Sequence, residues 1–239
     1  MLLCLIVSWA LAPGLHSRTP ILTYHDVIQT RDASSLWFDC AANELEQQLT
    51  WLEKQGAHFV SVTQIYDHLA KGKKLPPKSI AVTFADGYEG FYSLGLPVLR
   101  RHRVPVAMFV HTDYVGDQHN RPKMNWEQLK ELDREGLVTI CSQTRTHPAD
   151  LRTLKTPALT EEMAGSKKSL ELHLGHQVRF LAYPNGKYDE RVARAAAKAG
   201  YEMAFTEQLR PCETSPNLYM ISRYVHTKYR QAWHDAYRR

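Results

Sequence analysis

Strand-like and helix-like patterns alternate along nearly the whole 239-residue chain, and this alternation limits the possible folds more than any other feature. Short β-branched or aromatic runs, such as Ile80–Phe84 and Pro105–Val110, are separated by stretches in which apolar residues recur with helical spacing. No linker, internal repeat or break in composition divides the chain. This order predicts a single α/β domain with a parallel sheet. A barrel is favoured because no G-x-G-x-x-G motif follows the first strand.

Capping signals indicate where two of the helices should begin. Asn43 is followed three residues later by Glu46, and Asn125 by Gln128, which is the spacing of a capping box. The last strand of the sheet is expected over Leu218–Ser222. These assignments predict helices that cover a sheet whose strands run in one direction.

Polar side chains of the kinds used in catalysis follow several predicted strands. Asp86 follows the run Ile80–Phe84, although Asp-Gly is also a common turn sequence. Gln143 and His147 follow a later strand, and a separation of four residues would put both on one face of a helical turn. Because the carboxyl ends of parallel strands meet at one edge of a sheet, these groups should converge there with His25. Such a set could bind a divalent ion and leave room for substrate.

Composition and charge exclude some classes of protein. Hydrophobic residues make up 44% of the chain and charged residues 23%, which is typical of a globular domain and not of a disordered chain. The net charge is +5, but no basic stripe interleaved with aromatic residues is present, so nucleic acid is not an expected partner.

The first residues have the composition of a targeting segment. Leu2–Leu15 is apolar but too short for a membrane span, and Ala10-Leu11-Ala12 has the form of a signal cleavage site. Residues 1–17 are therefore expected to be a signal peptide or a disordered leader, and residues 18–239 the folded domain. The expected location is secreted, periplasmic or associated with the cell envelope.

Three cysteines lie beyond this leader, Cys40, Cys141 and Cys212. None has C-x-x-C spacing, so a structural zinc site is not expected. At most one disulfide could form among them, and the sequence leaves the pairing open.

Six stretches of the sequence resemble the polysaccharide deacetylases of the NodB-homology type, carbohydrate esterase family 4, and most closely the branch that deacetylates poly-N-acetylglucosamine. They are L-T-Y-H-D-V (22–27), L-P-P-K-S-I-A-V-T-F-A-D-G-Y (75–88), N-W-E-Q-L-K-E-L (125–132), G-L-V-T-I-C-S-Q-T-R-T-H-P (136–148), F-L-A-Y-P-N-G-K-Y-D (180–189) and I-S-R-Y-V (221–225). The resemblance implies a distorted, incomplete (β/α) barrel with its site at the strand carboxyl ends. It also implies a divalent metal, expected to be Zn²⁺, and a polysaccharide containing N-acetylglucosamine as the substrate.

The family motifs also imply a role for each residue of the metal site. In the family motif T-F-D-D-G, the first aspartate is the general base and the second binds the metal; the corresponding residues are Ala85 and Asp86. In the family motif H-[ST]-x-x-H both histidines are metal ligands, and the corresponding residues are Gln143 and His147. The base and one ligand are therefore replaced in this chain.

Further residues are implied to act on the substrate. His25 matches the histidine that acts as the acid, with Asp26 beside it, and Asn185 matches the residue whose backbone N–H binds the oxyanion. Other contacts to the substrate are expected from Tyr88, Tyr183, Pro184, Gly186 and Arg223, the last of which could instead form a structural ion pair. One or two of the following aromatic residues are expected to stack on sugar rings: Trp37, Phe38, Tyr88, Tyr92, Tyr114 and Trp126.

These replacements leave several functions open. The implied reaction is hydrolysis of an N-acetyl group, and Ala85 cannot accept the proton of the attacking water, a loss that typically costs about 10²- to 10⁴-fold in rate. The chain could be a weak or inactive deacetylase scaffold that binds glycan, or an active enzyme that uses Glu89 or Asp26 as its base. It could also be an ordinary enzyme carrying inactivating substitutions, or an interaction domain without a glycan site.

Overall fold

The computed structural model describes residue 11 and residues 18–237. Apart from Leu11, the leader predicted over residues 1–17 lies outside the described residues. The strands are β1 (Ile21–Tyr24), β2 (Val27–Ile28), β3 (Cys40–Ala41), β4 (His58–Val60), β5 (Ser79–Phe84), β6 (Val106–Val110), β7 (Val138–Ser142), β8 (Phe180–Ala182), β9 (Met203–Phe205) and β10 (Tyr224–Val225). The α-helices are α1 (Ala42–Lys54), α2 (Val62–Lys71), α3 (Leu96–His102), α4 (Trp126–Glu135), α5 (Thr156–Thr160), α6 (Ser166–Leu174), α7 (Glu190–Lys198) and α8 (Tyr229–Tyr237).

Eight of the strands form one parallel sheet. Its order is β10-β1-β5-β6-β7-β8-β9, and β4 pairs with the first half of β5. The sheet curls until β9 approaches the segment before β10, where Phe205 and Ile221 form a single parallel bridge. The architecture is thus an incomplete barrel, as predicted. The strand predicted over Leu218–Ser222 is wrong, because this segment contributes only that bridge and β10 begins at Tyr224.

The strands are apolar because both faces of the sheet are covered. All six residues of β5 and all five of β6 are buried, which is the pattern expected of parallel strands with helices outside and side chains packed inside. Leu45, Leu49 and Leu52 form the buried stripe of α1. This packing fixes the strand ends, from which the polar residues of the site project.

Of the two capping boxes predicted from the sequence, the structure has one and lacks the other. The box predicted at α4 is confirmed, since Asn125 Oδ1 accepts from the Gln128 N–H and Gln128 Oε1 accepts from the Asn125 N–H, both at 2.9 Å. The box predicted for α1 at Asn43 is wrong. That helix begins earlier because Ala41 is held in β3, and Glu44 Oε2 accepts the Ala41 N–H at 2.9 Å.

The remaining predictions about the fold concern cysteines and membranes. Cys40, Cys141 and Cys212 are buried and free, so none of the three forms a disulfide. Among the helices of the described residues, none combines the length and the apolar character that crossing a membrane requires.

Candidate functional site

The carboxyl ends of the parallel strands bring most of the predicted site residues to one edge of the sheet. His25 and Asp26 follow β1, Ala85 and Asp86 follow β5, and Gln143 follows β7. Tyr24 and Phe84, the last residues of β1 and β5, lie level with Met108 of β6, and β6 and β7 end together two residues further on. The topology therefore assembles, from distant parts of the sequence, the cleft that the motifs predicted.

Asp86 occupies a tight turn directly after β5. Its φ is 68° and that of Gly87 is 63°, a left-handed conformation that aspartate tolerates better than most side chains. A Cβ atom on Gly87 would lie 3.0 Å from Cγ1 of Val110, so glycine suits this close approach. The Gly87 carbonyl accepts the Met124 N–H at 2.9 Å, which anchors the turn to the loop before α4.

Gln143 fixes the same turn from the opposite side. Its side chain is buried, with 3% exposed, and Oε1 accepts the backbone N–H of Asp86 at 2.8 Å. The helical turn predicted from Gln143 to His147 is wrong, because Thr144 and His147 have φ of 70° and 53°, outside the right-handed helical region. The Gln143 and His147 side chains nevertheless both reach Asp86. Gln143 contacts its backbone N–H, and His147 faces its carboxylate.

The carboxylate of Asp86 faces His147. Oδ1 lies 3.6 Å from His147 Nε2, is buried, and has no hydrogen-bond partner within the described residues. Burial disfavours ionisation of Asp86, but the facing His25 and His147 outweigh it, so the pKa of this carboxyl lies below its ordinary value. The pair has the position and chemistry of two metal ligands.

A third ligand is missing from this arrangement. Over residues 18–237, no group of three or more His, Cys, Asp or Glu side chains is arranged to hold a metal ion. Catalytic zinc sites use three protein ligands, whereas the amide oxygen of Gln143 is a weak zinc ligand and already accepts the Asp86 N–H with one of its two lone pairs. The residues present therefore do not fit a tightly held catalytic Zn²⁺.

The position of the family's general base carries no proton acceptor. Ala85 is fully buried, and its N–H donates to the Tyr24 carbonyl at 2.9 Å. Glu89 Oε2 accepts from the Ser93 hydroxyl at 3.2 Å on the following helix, so its carboxylate is occupied there. Asp26 is the stronger alternative, because burial raises its pKa to about 6 despite an ion pair with Arg121 at 3.0 Å.

His25 lies beside the Asp86 turn, since β1 and β5 are neighbouring strands and Tyr24 pairs with Phe84. Its side chain is buried, Nδ1 has no hydrogen-bond partner within the described residues, and Nε2 lies 4.0 Å from Glu207 Oε1. Burial lowers its pKa, although Asp86 and Glu207 oppose this effect. A neutral imidazole at neutral pH is the resulting form.

Arg223 lies beneath the cleft and not on its surface. It is 1% exposed, its Nε donates to the Thr206 carbonyl at 3.0 Å, and its Nη2 lies 3.8 Å from Glu207 Oε1. The same Glu207 oxygen faces both Arg223 and His25. The geometry thus gives Arg223 contacts that support Glu207, which in turn faces His25.

The turn after β8 is rigid. The Tyr183 hydroxyl donates to the Tyr219 carbonyl at 3.0 Å, and the Gly186 N–H donates to the Tyr183 carbonyl at 2.9 Å. Pro184 is buried, and Asn185 has φ of 55° with its side-chain amide donating to the Ala149 carbonyl at 3.2 Å. No backbone hydrogen bond joins the Asn185 N–H to another described residue.

Aromatic side chains form one wall of the cleft. Phe38 stacks with Tyr88 at 6.3 Å between ring centroids and lies 5.4 Å from the His25 ring, and Trp37 next to it is 63% exposed. Arg121 supports this wall by binding both carboxylate oxygens of Asp39 at 2.5 and 2.8 Å. Exposed aromatic faces beside a polar cleft are suited to sugar rings.

Two cleft residues were not anticipated from the sequence. His111 directly follows β6, its ring lies 5.4 Å from that of His147, and burial lowers its pKa to about 4. The rule that selected the other strand ends would have found it. Lys123 lies over the Tyr88 ring, with Nζ 3.2 Å from the centroid, and no sequence pattern marks a loop lysine of this kind.

Comparisons with known proteins agree with this geometry. Residues 72–204, more than half of the chain, match the family model described as polysaccharide deacetylase. The chain is 28% identical over 207 residues to YxkH of Bacillus subtilis (strain 168), which is named as a polysaccharide deacetylase. The match covers 87% of this chain and 71% of that protein. It is 25% identical over 199 residues to the poly-β-1,6-N-acetyl-D-glucosamine N-deacetylase of Staphylococcus aureus (strain MSSA476), covering 78% and 67%.

Solved structures show the same fold. IcaB from Ammonifex degensii has a TM-score of 0.79 at 27% identity, covering 92% of this chain and 97% of that chain. The Streptococcus pyogenes deacetylase PplD, in complex with acetate, also has a TM-score of 0.79, at 24% identity, covering 87% and 92%. These matches confirm the family and branch that the motifs predicted, and the incomplete barrel.

Proposed function

We propose that this chain, which belongs to the polysaccharide deacetylase family, binds a polysaccharide containing N-acetylglucosamine without hydrolysing it efficiently. The observation that carries the proposal is the Asp86 turn. Ala85 offers no base, and the amide oxygen of Gln143 is committed to the Asp86 N–H at 2.8 Å. The polar groups around Asp86 therefore stabilise the turn in place of completing a metal site.

The rest of the cleft supports glycan binding. Trp37 and Phe38 offer aromatic faces beside His25, and no backbone hydrogen bond joins the Asn185 N–H to another described residue. The Staphylococcus aureus relative is named for action on poly-β-1,6-N-acetyl-D-glucosamine, which suggests the polymer class. Such a ligand supports the predicted location in the cell envelope or outside the cell.

The residues present could perform part of a deacetylation. Hydrolysis adds water across the amide bond and releases acetate and the amine, which needs one group to remove a proton from water and one to protonate the amine. His25 would have to take up a proton before it could protonate the amine, because its lowered pKa leaves it neutral at neutral pH, and the Asn185 N–H could hold the developing oxyanion. Ala85 leaves the first step without a base, so we expect a rate lower by about 10²- to 10⁴-fold than that of a complete site.

A second candidate is an active deacetylase in which Asp26 is the base. A pKa near 6 suits proton abstraction at neutral pH, and Asp26 lies at the same strand end as His25. However, the Asp26 carboxylate is not free, because it forms an ion pair with Arg121 at 3.0 Å. Arg121 is in turn held in place by its ion pair with Asp39.

Release of acetate from an acetylated β-1,6-glucosamine pentamer distinguishes the two candidates. Wild type and the Asp26→Asn variant would be incubated with the pentamer at pH 7, and acetate would be measured enzymatically. The proposal predicts that wild type releases acetate no faster than Asp26→Asn, because Asp26 does not act as the base. Release by wild type that disappears in Asp26→Asn would overturn it in favour of the second candidate.

A further inference from the structure

The cleft contains an ammonium group without a carboxylate partner. Lys123 Nζ contacts the face of Tyr88, 3.2 Å from the ring centroid, and makes no hydrogen bond or ion pair with any described residue. Its side chain is half-buried, so it cannot simply extend into bulk water. Arg121, a neighbouring cation, is by contrast ion-paired with Asp39.

The backbone holds Lys123 against the Asp86 turn. Tyr88 and Lys123 form an isolated antiparallel bridge, with the Glu89 N–H donating to the Pro122 carbonyl at 2.8 Å and the Met124 N–H to the Gly87 carbonyl at 2.9 Å. The Lys123 N–H itself donates to the Asp117 carbonyl at 2.8 Å. Three backbone hydrogen bonds thus position the segment that carries the ammonium.

The charges around Lys123 favour retention of its proton at neutral pH. Burial lowers its pKa to about 8, while the carboxylates of Asp86 and Asp26 oppose this effect without reaching ion-pair distance. Arg121 adds a repulsive contribution. At pH 7 the cleft therefore holds a cation beside Asp86, at the edge where the donor set does not fit a metal ion.

We propose that the Lys123 ammonium donates a hydrogen bond to the acetamido carbonyl of a bound N-acetylhexosamine unit and makes the cleft selective for acetylated over deacetylated sugar. This inference rests on the glycan-binding function proposed above. A carbonyl oxygen accepts from an ammonium, whereas the protonated amine of a deacetylated unit is repelled by it. Binding through Lys123 requires no metal ion.

Removal of the charge should reverse this preference. Without the ammonium, the charge of Asp86 would no longer be opposed by Lys123 and would attract a sugar amine. A structural role for Lys123 would instead weaken the binding of both ligands alike. The ratio of the two affinities therefore separates recognition from support of the fold.

Calorimetric titration tests the proposal. Wild type, Lys123→Met, Lys123→Arg and the control Lys73→Met would be titrated at pH 7 in EDTA with the acetylated β-1,6-glucosamine pentamer and with its fully deacetylated form. Lys73 pairs with Asp67 on an exposed surface before β5, away from the strand carboxyl ends. We expect Lys123→Met to bind the acetylated pentamer about tenfold more weakly and the deacetylated pentamer more tightly, while the other two variants resemble wild type.

Each outcome bears on a distinct claim, provided that circular dichroism shows all variants folded. Equal affinity of wild type and Lys123→Met for the acetylated pentamer would overturn the role of Lys123 and leave the glycan-binding function standing. Loss of wild-type binding in EDTA, with recovery on adding Zn²⁺, would also overturn it. No binding of either pentamer by wild type, with or without metal, would overturn the proposed function and this inference with it.

Discussion

The two sides of the cleft differ in how their polar groups are used. On the chemical side, formed by Ala85, Asp86, Gln143 and His147, the amide of Gln143 satisfies the backbone of its neighbour. On the binding side, formed by Trp37, Phe38, Tyr88 and Lys123, Trp37 is 63% exposed, and the Lys123 ammonium lies on the buried Tyr88 ring with no hydrogen-bond or ion-pair partner within the described residues. Under the proposed function, the family fold keeps a ligand cleft while the groups at the positions used for hydrolysis serve its internal stability.

This difference suggests a rule for reading such sites. A residue at a catalytic position is less available for catalysis when its reactive atom also serves the structure, as Gln143 Oε1 does by accepting the Asp86 N–H. His147 still faces the unpartnered Asp86 Oδ1 at 3.6 Å. The chemical side is therefore incomplete at two positions and intact at two.

The largest effect should come from restoring the chemical side. The double variant Ala85→Asp with Gln143→His, assayed with added Zn²⁺, should release acetate from the acetylated pentamer about 10²- to 10⁴-fold faster than wild type, because a base and a ligand return together. Ala85→Asp alone is the matched control and should gain less. A folded double variant, verified by thermal unfolding, that gains no activity would show that the binding side has also diverged.

The next effect tests the structural use of Gln143. The variant Gln143→Ala should lower the free energy of unfolding by about 1–3 kcal/mol, because it leaves the Asp86 N–H without its acceptor beside a buried side chain. Urea denaturation measures this change, with the exposed Gln177 replaced by alanine as the control. Equal stability of the two variants would mean that the hydrogen bond does not hold the turn.

The buried His226, which packs on Tyr24 of β1, should make the stability of the fold sensitive to acid. His226 stacks on Tyr24 at 5.0 Å, and burial lowers its pKa to about 4, so the unfolded chain takes up the proton first as the pH falls. Its contribution to stability is present above about pH 6.5 and is lost as the pH falls towards about 4. When the pH is lowered from 7 to 5, the free energy of unfolding of both proteins should fall. The decrease should be about 2 kcal/mol smaller in His226→Phe than in wild type.

Denaturant titrations at the two pH values measure this difference. His119 is 91% exposed, so His119→Phe should follow the wild-type pH dependence. Parallel losses of stability in wild type and His226→Phe would contradict the assignment of the acid sensitivity to His226.

The smallest effect should be at the exposed aromatic residue of the binding side. Trp37→Ala should weaken binding of the acetylated pentamer by about three- to tenfold, which corresponds to loss of one stacking contact of about 0.5–1.5 kcal/mol. Leu172, which is 79% exposed on α6, provides the control Leu172→Ala. If the two variants bind equally, the aromatic wall is not the glycan surface.

The sequence predicted the fold well because its signals are local and repeated. Alternating patterns identify the buried strands, and the capping box at Asn125 and Gln128 places α4. The errors occur where a tertiary contact decides. Pairing of β3 with β2 starts α1 before the predicted cap at Asn43, and the sheet needs only a bridge at Ile221 where a full strand was predicted.

The sequence predicted which residues lie at the site but not which contacts they make with one another. The motifs named Asp86, Gln143 and His147, yet no motif reveals that Gln143 would bind the backbone of Asp86. Asp86 and Thr144, which lie next to that bond, adopt left-handed conformations, and short motifs do not encode them. Lys123 is likewise brought to the cleft only by its bridge to Tyr88, a contact between distant segments.

Native mass spectrometry of wild type incubated with the acetylated β-1,6-glucosamine pentamer tests the central claim most directly, since one spectrum reports both binding and hydrolysis. The account predicts a one-to-one complex that contains the fully acetylated pentamer, with no loss of acetyl groups in the free or bound sugar. A complex in which the sugar has lost acetyl groups, or no complex at all, would contradict it.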